Sequence, residues 1–214
     1  MPTKSSAHKI VKVLFETYPG ATCALHHKDA FQLAIATILS AQCTDERVNI
    51  VTKDLFKKYK TPQAFAGADL EELEQDIKST GFYHNKAKSI LGFSKAIVSD
   101  FGGKVPKDMD ALVKLPGIGR KTANVILGTA YGIASGVVVD THVTRLSNRM
   151  GLTTQEDPVK IEQDLMKLLP EDQWIMFSHA MILHGRQICI ARKPKCSICP
   201  LDSLCPKIGV DQNS

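Results

Sequence analysis

Four of the chain's six cysteines stand together: Cys189, Cys196, Cys199 and Cys205, with 6, 2 and 5 residues between them. A Cys-x2-Cys pair places two thiolates on one metal, because the intervening backbone curls back on itself. The outer cysteines then complete an all-thiolate set. Two occupants suit such a set, a structural zinc or a [4Fe–4S] cluster. The spacing leans toward the cluster, because four-cysteine zinc sites usually use two close pairs across a longer connection. Pro200 and Pro206 follow Cys199 and Cys205 and stiffen the wrapping loop. The plainer reading, cysteine as a small buried hydrophobe, suits Cys23 and Cys43, which are not taken as ligands. Disulfides are a poor account of the cluster in a reducing compartment. The N-terminus lacks the apolar stretch and small-residue cleavage site of a secretory signal, so the expected location is cytoplasmic.

A second constellation lies upstream. Leu115-Pro116-Gly117-Ile118-Gly119-Arg120-Lys121-Thr122-Ala123 sits between two helical periodicities. Pro116 ends one helix. Gly117 and Gly119 can take dihedrals closed to other residues and leave their N–H groups bare. Those groups and the next helix N-terminus form an anion nest that suits a DNA phosphate, while Ile118 pegs the hairpin into its helices. The pattern is helix–hairpin–helix, and it contacts the backbone without reading bases. It has neither the preceding strand nor the spacing of a P-loop or dinucleotide fingerprint.

Lys121 follows the hairpin, in the first turn of the next helix. It reads either as one more phosphate contact or as a nucleophile aimed at a sugar carbon. The helix N-terminus, Arg120 and partial burial would lower its pKa. Asp140 opens Asp140-Thr141-His142-Val143-Thr144-Arg145. It reads as an N-cap, and also as a carboxylate able to stabilise positive charge on a deoxyribose or to shuttle a proton.

The elements that must carry these residues are almost all helical. Asp29 and Gln32 have capping-box spacing ahead of Phe31, Leu33, Ile35, Ile38 and Leu39, a run apolar on nearly every face that predicts a central buried helix. Thr44, Thr61-Pro62, Asp69 and Asp157-Pro158 mark further helix starts. Helices are also expected over 85–101, over 108–114, after the hairpin and from Trp174 to His184. Gly136-Val137-Val138-Val139 is short and has no visible β partner, so it reads as a buried extended segment. The organisation predicted is a helical domain over 24–134 and a second lobe from 1–23 with 135–214.

Composition excludes several classes. Gly and Pro together make 24 of 214 residues (14 and 10), too few for a collagenous or low-complexity chain. No apolar run approaches a membrane span. The net charge is +5, from 27 basic and 22 acidic residues. It is compatible with a polyanionic partner, and its distribution says more. No acidic residue lies between Asp172 and Asp202, a stretch that holds Arg186, Arg192, Lys193 and Lys195.

Taken together, the hairpin, Val139-Asp140-Thr141-His142, Leu39-Ser40-Ala41-Gln42-Cys43-Thr44-Asp45, Gly81-Phe82-Tyr83, Leu183-His184-Gly185-Arg186 and the cysteine spacing make the chain similar to the bacterial endonuclease III family. These are DNA glycosylases with an apurinic/apyrimidinic lyase activity. The likeness runs from about Ile10 to Pro206. It implies an all-α fold, with a six-helix domain and a [4Fe–4S] domain and DNA bound across the cleft between them. It implies Lys121 as catalytic lysine, Asp140 as catalytic aspartate and Cys189, Cys196, Cys199 and Cys205 as cluster ligands. Gln42 matches the residue that fills the space left by an extruded nucleotide. Phe82 falls where the family usually has a wedging leucine. The DNA-facing set that follows is Gln42, Phe82, Pro116, Gly117, Ile118, Gly119, Arg120, His142, Arg145, Arg186, Arg192, Lys193 and Lys195. The expected partner is double-stranded DNA with damaged pyrimidines or abasic sites, met by a nucleoid-associated monomer. Adenine–DNA glycosylases share hairpin, aspartate and cluster but normally lack a lysine at the position of Lys121. The alternative from another class is a non-catalytic DNA-binding module, in which Lys121 only holds phosphate.

Overall fold

The structure, a computed structural model, describes residues 4–210. Met1–Thr3 and the last four residues, assigned above to the second lobe, lie outside the described residues. The described chain is helical and contains no strand. It divides into two compact units, Cys23–Ile133 and the remainder on either side of it, up to Thr22 and from Ala134. No helix among the described residues is long and apolar enough to cross a membrane.

The unit Cys23–Ile133 is built around α2 (Ala30–Leu39), nine of whose ten residues are buried. An all-round apolar helix can only sit inside a core, and the remaining helices give it one. These are α3 (Asp45–Lys58), α4 (Pro62–Ala66), α5 (Leu70–Ile77), α6 (Tyr83–Phe101), α7 (Met109–Leu112) and α8 (Arg120–Val125); α1 is Lys4–Thr17, in the other unit. Phe31 of α2 stacks on Phe93 of α6 at 5.5 Å between ring centres and tilts against Phe65 of α4 at 5.6 Å. The starts follow local chemistry. Side chains of Asp29, Thr44, Thr61, Asp69 and Asp108 each accept a hydrogen bond from the backbone N–H three residues on, satisfying donors that a helix N-terminus leaves unpaired.

The helix from Trp174 runs three residues past the expected His184, to Gln187, and other details also depart from the sequence reading. Helix α6 begins at Tyr83 rather than 85, because left-handed Phe82 turns the chain directly into it. Helix α7 covers only Met109–Leu112 of the predicted 108–114. The helix after the hairpin keeps α geometry only to Val125 and then widens into a π turn, Ile126–Ala130.

In the other unit, α1 packs its face of Ala7, Ile10, Val11 and Leu14 into a core shared with α9 (Thr141–Arg149), α10 (Pro158–Leu168) and α11 (Trp174–Gln187). Val137, Val138 and Val139 are buried and make no ladder. The Val138 amide instead donates to the Ser178 hydroxyl at 2.9 Å, so the buried extended backbone still finds an acceptor.

Candidate nucleic-acid and cluster sites

Within Cys23–Ile133 one groove of about 240 Å3 brings together Gln42, Phe82, Asn85, Lys86, Ser89, Gly117 and Thr122. Gln42 lies in the turn between α2 and α3, and Phe82 in the turn between α5 and α6. Both are non-glycine residues at positive φ, 53° and 49°. Left-handed backbone costs an L-residue about 1–2 kcal/mol, so the surrounding structure must hold each turn. Phe82 is 62% exposed, an unusual state for so large an apolar ring.

The hairpin borders the same groove. Ile118 is buried in the core, and its amide donates to the Leu115 carbonyl at 3.1 Å. Gly117 has φ +75°, and a Cβ there would stand 2.8 Å from Ser89 Cβ, so both backbone and space demand glycine. Gly119 corrects the sequence reading. Its φ is −87° and a Cβ would meet nothing within 4 Å. It needs no forbidden dihedral and simply leaves the start of α8 uncovered. Pro116, Arg120 and Lys121 are exposed. Lys121 therefore lacks the expected partial burial.

In the other unit, Asp140 caps α9. Its Oδ1 accepts from the amides of His142 and Val143, both at 2.8 Å, and its Oδ2 lies 3.1 Å from His142 Nδ1. The Asp140 side chain is 15% exposed. One oxygen is thus fixed by the helix and the other faces an imidazole. His142 is seated against α11 because position 185 is glycine: a Cβ there would lie 3.0 Å from His142 Cβ.

The four clustered cysteines are free thiols that line one pocket with Met150, Ile188, Pro194 and Leu201. Burial, then the charge of the other three cysteines, pushes the Cys199 thiol up; burial first, with Cys189 and Cys196 adding, does the same to Cys205. Four thiols gathered in one pocket suit a strongly cationic occupant that would take them as thiolates. No three metal-ligating side chains among the described residues converge on a single-ion site. The four cysteines nevertheless line one pocket, and a multi-iron group, with one thiolate for each iron, fits that donor set.

Two arginines one turn apart on α9 hold this loop. Arg149 donates to the carbonyls of Ile190 and Ala191, each at 2.8 Å, and to Cys189 Sγ at 3.4 Å. Arg145 donates to the carbonyls of Gly185 and Cys189 at 3.0 Å. Sequence reasoning missed Arg149 and assigned Arg145 to DNA; the structure shows its guanidinium engaged with backbone. The spacing i, i+4 on one helical face was the available signal. Arg186, Arg192, Lys193 and Lys195 are exposed. His184, fully buried, joins the Tyr18 hydroxyl at 3.0 Å to Cys199 Sγ at 3.6 Å.

Two family models match the chain: the HhH-GPD superfamily of base excision DNA repair proteins over residues 35–171 and the iron–sulfur binding domain of endonuclease III over 189–205. An endonuclease III of Synechocystis sp. is 55% identical over 203 residues, 95% of this chain and 93% of the relative. The chain belongs to the endonuclease III family. Two solved endonuclease III structures agree, each with a TM-score of 0.92 and 97% of both chains covered. One is a non-covalent DNA complex, 46% identical, and the other a trapped DNA covalent intermediate, 45% identical. As a member of the endonuclease III family, the chain is a base excision repair enzyme, a DNA glycosylase and abasic-site lyase that carries a [4Fe–4S] cluster.

Proposed function

We propose that this enzyme removes oxidised pyrimidines from duplex DNA and cleaves the resulting abasic site, with Lys121 as nucleophile and Asp140 as its partner carboxylate. The observation that carries the reading is the groove that gathers Gln42, Phe82 and Gly117 beside the first turn of α8, which bears exposed Lys121.

Base chemistry at C1′ requires the nucleotide to leave the stack. Hairpin amides with Pro116, Arg120 and the basic residues Arg186, Arg192, Lys193 and Lys195 hold the backbone. Gln42 and Phe82 fill the vacated space. The neutral Lys121 amine attacks C1′, the glycosidic bond breaks and the base leaves with its electrons. Asp140 accepts the amine proton or stabilises positive charge on the sugar. Protonation of O4′ breaks the C1′–O4′ bond and opens the sugar ring, leaving a protonated Schiff base between C1′ and Lys121 that acidifies C2′. Loss of that C2′ proton forms the C2′–C3′ double bond and expels the 3′ phosphate, and hydrolysis of the imine frees Lys121. The [4Fe–4S] cluster, held by Cys189, Cys196, Cys199 and Cys205, supplies cross-linking of its loop and no step of this chemistry. Arg145 and Arg149 brace that loop, and His142 orients the carboxylate of Asp140. The enzyme works as a monomer on nucleoid DNA in the cytoplasm.

The test is borohydride trapping on duplexes with thymine glycol. The wild type gives a covalent adduct, and Lys121→Ala gives none while still binding DNA. An adduct that persists in Lys121→Ala removes Lys121 as nucleophile.

A further inference from the structure

Lys86 is a lysine in the wrong place for a surface residue. It sits in the first turn of α6, only 5% exposed. Its ammonium donates to the Leu39 carbonyl and to the Thr80 carbonyl, each at 2.8 Å. Burial pushes the amine down from its ordinary value, while nearby Cys43 opposes the shift. Burying an ammonium costs several kcal/mol, and an apolar side chain of similar volume often serves a core as well or better. Packing alone therefore does not account for a lysine here.

Its two acceptors do. Leu39 is the last residue of α2, where helical carbonyls lack intrahelical partners. Thr80 ends the 3-10 turn that follows α5. The chain leaves Leu39 and reaches Gln42 three residues later; it leaves Thr80 and reaches Phe82 two residues later. These are the two left-handed non-glycine turns of the groove. Such turns persist only where the surroundings over-determine them. A single charged group ties the departure points of both.

We propose that Lys86 is a positioning residue, fixing the Gln42 and Phe82 turns relative to one another so that both side chains enter the duplex as a unit. This rests on the reading of Gln42 and Phe82 as the pair that fills the vacated space. Lys86 touches no reacting atom and acts through that pair.

The test is a double-mutant cycle on the full-length holoenzyme. Lys86→Met keeps the chain length and removes both donors. Extrusion is read by 2-aminopurine fluorescence beside a thymine glycol, and base removal by single-turnover rate. Lys86→Met slows both about ten- to a hundredfold, the scale of a misplaced positioning group. Cleavage of a single-stranded abasic oligonucleotide, which has no gap to fill, changes far less. In a Gln42→Ala/Phe82→Ala background, Lys86→Met adds no further loss on duplex DNA. Equal losses on single and double strands, a full additional loss in that background, or wild-type extrusion by Lys86→Met each overturn the Lys86 role alone. Wild-type extrusion by Gln42→Ala/Phe82→Ala overturns the gap-filling reading and the Lys86 role with it. Should Lys86→Met fail to fold, Lys86→Gln, which keeps an amide donor, is taken through the same cycle with the same outcomes.

Discussion

Asp140 carries two duties that a pair of substitutions separates. As the N-cap of α9 it accepts two amide hydrogen bonds at 2.8 Å. As the proposed catalytic carboxylate it must bear charge. Asp140→Asn keeps an oxygen of the same reach, and Asn caps as well as Asp. What is lost is the negative charge, at the helix N-terminus and opposite His142 Nδ1, about 0.3–1 kcal/mol. For a chain of this size 1 kcal/mol moves Tm by about 2–4 °C, so Asp140→Asn lowers Tm by no more than about 4 °C. Asp140→Ala removes the cap as well, costing about 1–2 kcal/mol in all and about 2–8 °C. The two variants therefore differ modestly in stability. In single-turnover base removal both fall by about 10²–10⁴, because both lack the charge. Differential scanning fluorimetry and quenched-flow kinetics on thymine glycol duplexes read the two quantities independently. An Asp140→Asn protein that removes the base within about threefold of the wild-type rate would falsify the catalytic assignment and leave Asp140 as a cap.

Gly117→Ala places a Cβ 2.8 Å from Ser89 Cβ at φ +75° and destabilises by about 1–3 kcal/mol, whereas Gly119→Ala stays within about 1 kcal/mol; equal Tm values for the two would refute the hairpin argument. Cys199→Ser releases the loop from its cluster, and trypsin then cleaves after Arg192 or Lys195 much faster than in the holoprotein, as mass spectrometry of timed digests would record. Burial holds the His184 imidazole down to about 4 from an ordinary 6.5. Its contribution is intact above about pH 6.5 and is lost as the unfolded chain gains a proton that the folded one refuses, on the order of 3 kcal/mol by about pH 4. Urea midpoints across that window should fall more steeply for the wild type than for His184→Gln, and parallel slopes would count against it.

The helix starts were legible because the signals are local. Asp29, Thr44, Thr61, Asp69 and Asp157 cap with their own side chains, so a few residues suffice to read them. The extended run Val137–Val139 was legible from its lack of a partner. Helix α1 went unread although Ala7, Ile10, Val11 and Leu14 repeat at helical spacing; its partners lie more than a hundred residues away in sequence. The π turn at Ile126–Ala130 has no residue signature in a run of ordinary helix formers. Among site residues, the hairpin and the cysteine loop announce themselves by glycine, proline and spacing. Lys86 does not, Arg149 does so only through its i, i+4 spacing from Arg145, and His184 only within the Leu183-His184-Gly185-Arg186 motif. Each is a polar side chain whose work depends on tertiary burial, and a sequence gives such residues a default place on the surface.

The unit that holds the cysteine loop is split by the insertion of Cys23–Ile133, so that Tyr18 meets His184 across 166 residues. Synthesis on a ribosome runs at about 5–20 residues per second, which puts roughly 10–30 s between the emergence of α1 and that of its partner helix. During that interval the core that Ile10, Val11 and Leu14 join is incomplete, while the inserted unit has an apolar core of its own residues. Birth order therefore makes the groove of Gln42, Phe82 and Gly117 the early product and the cysteine loop the late one. For the newborn chain the apolar face of α1 waits longest for its core, and the thiols of the cysteine loop emerge only after the inserted unit is complete.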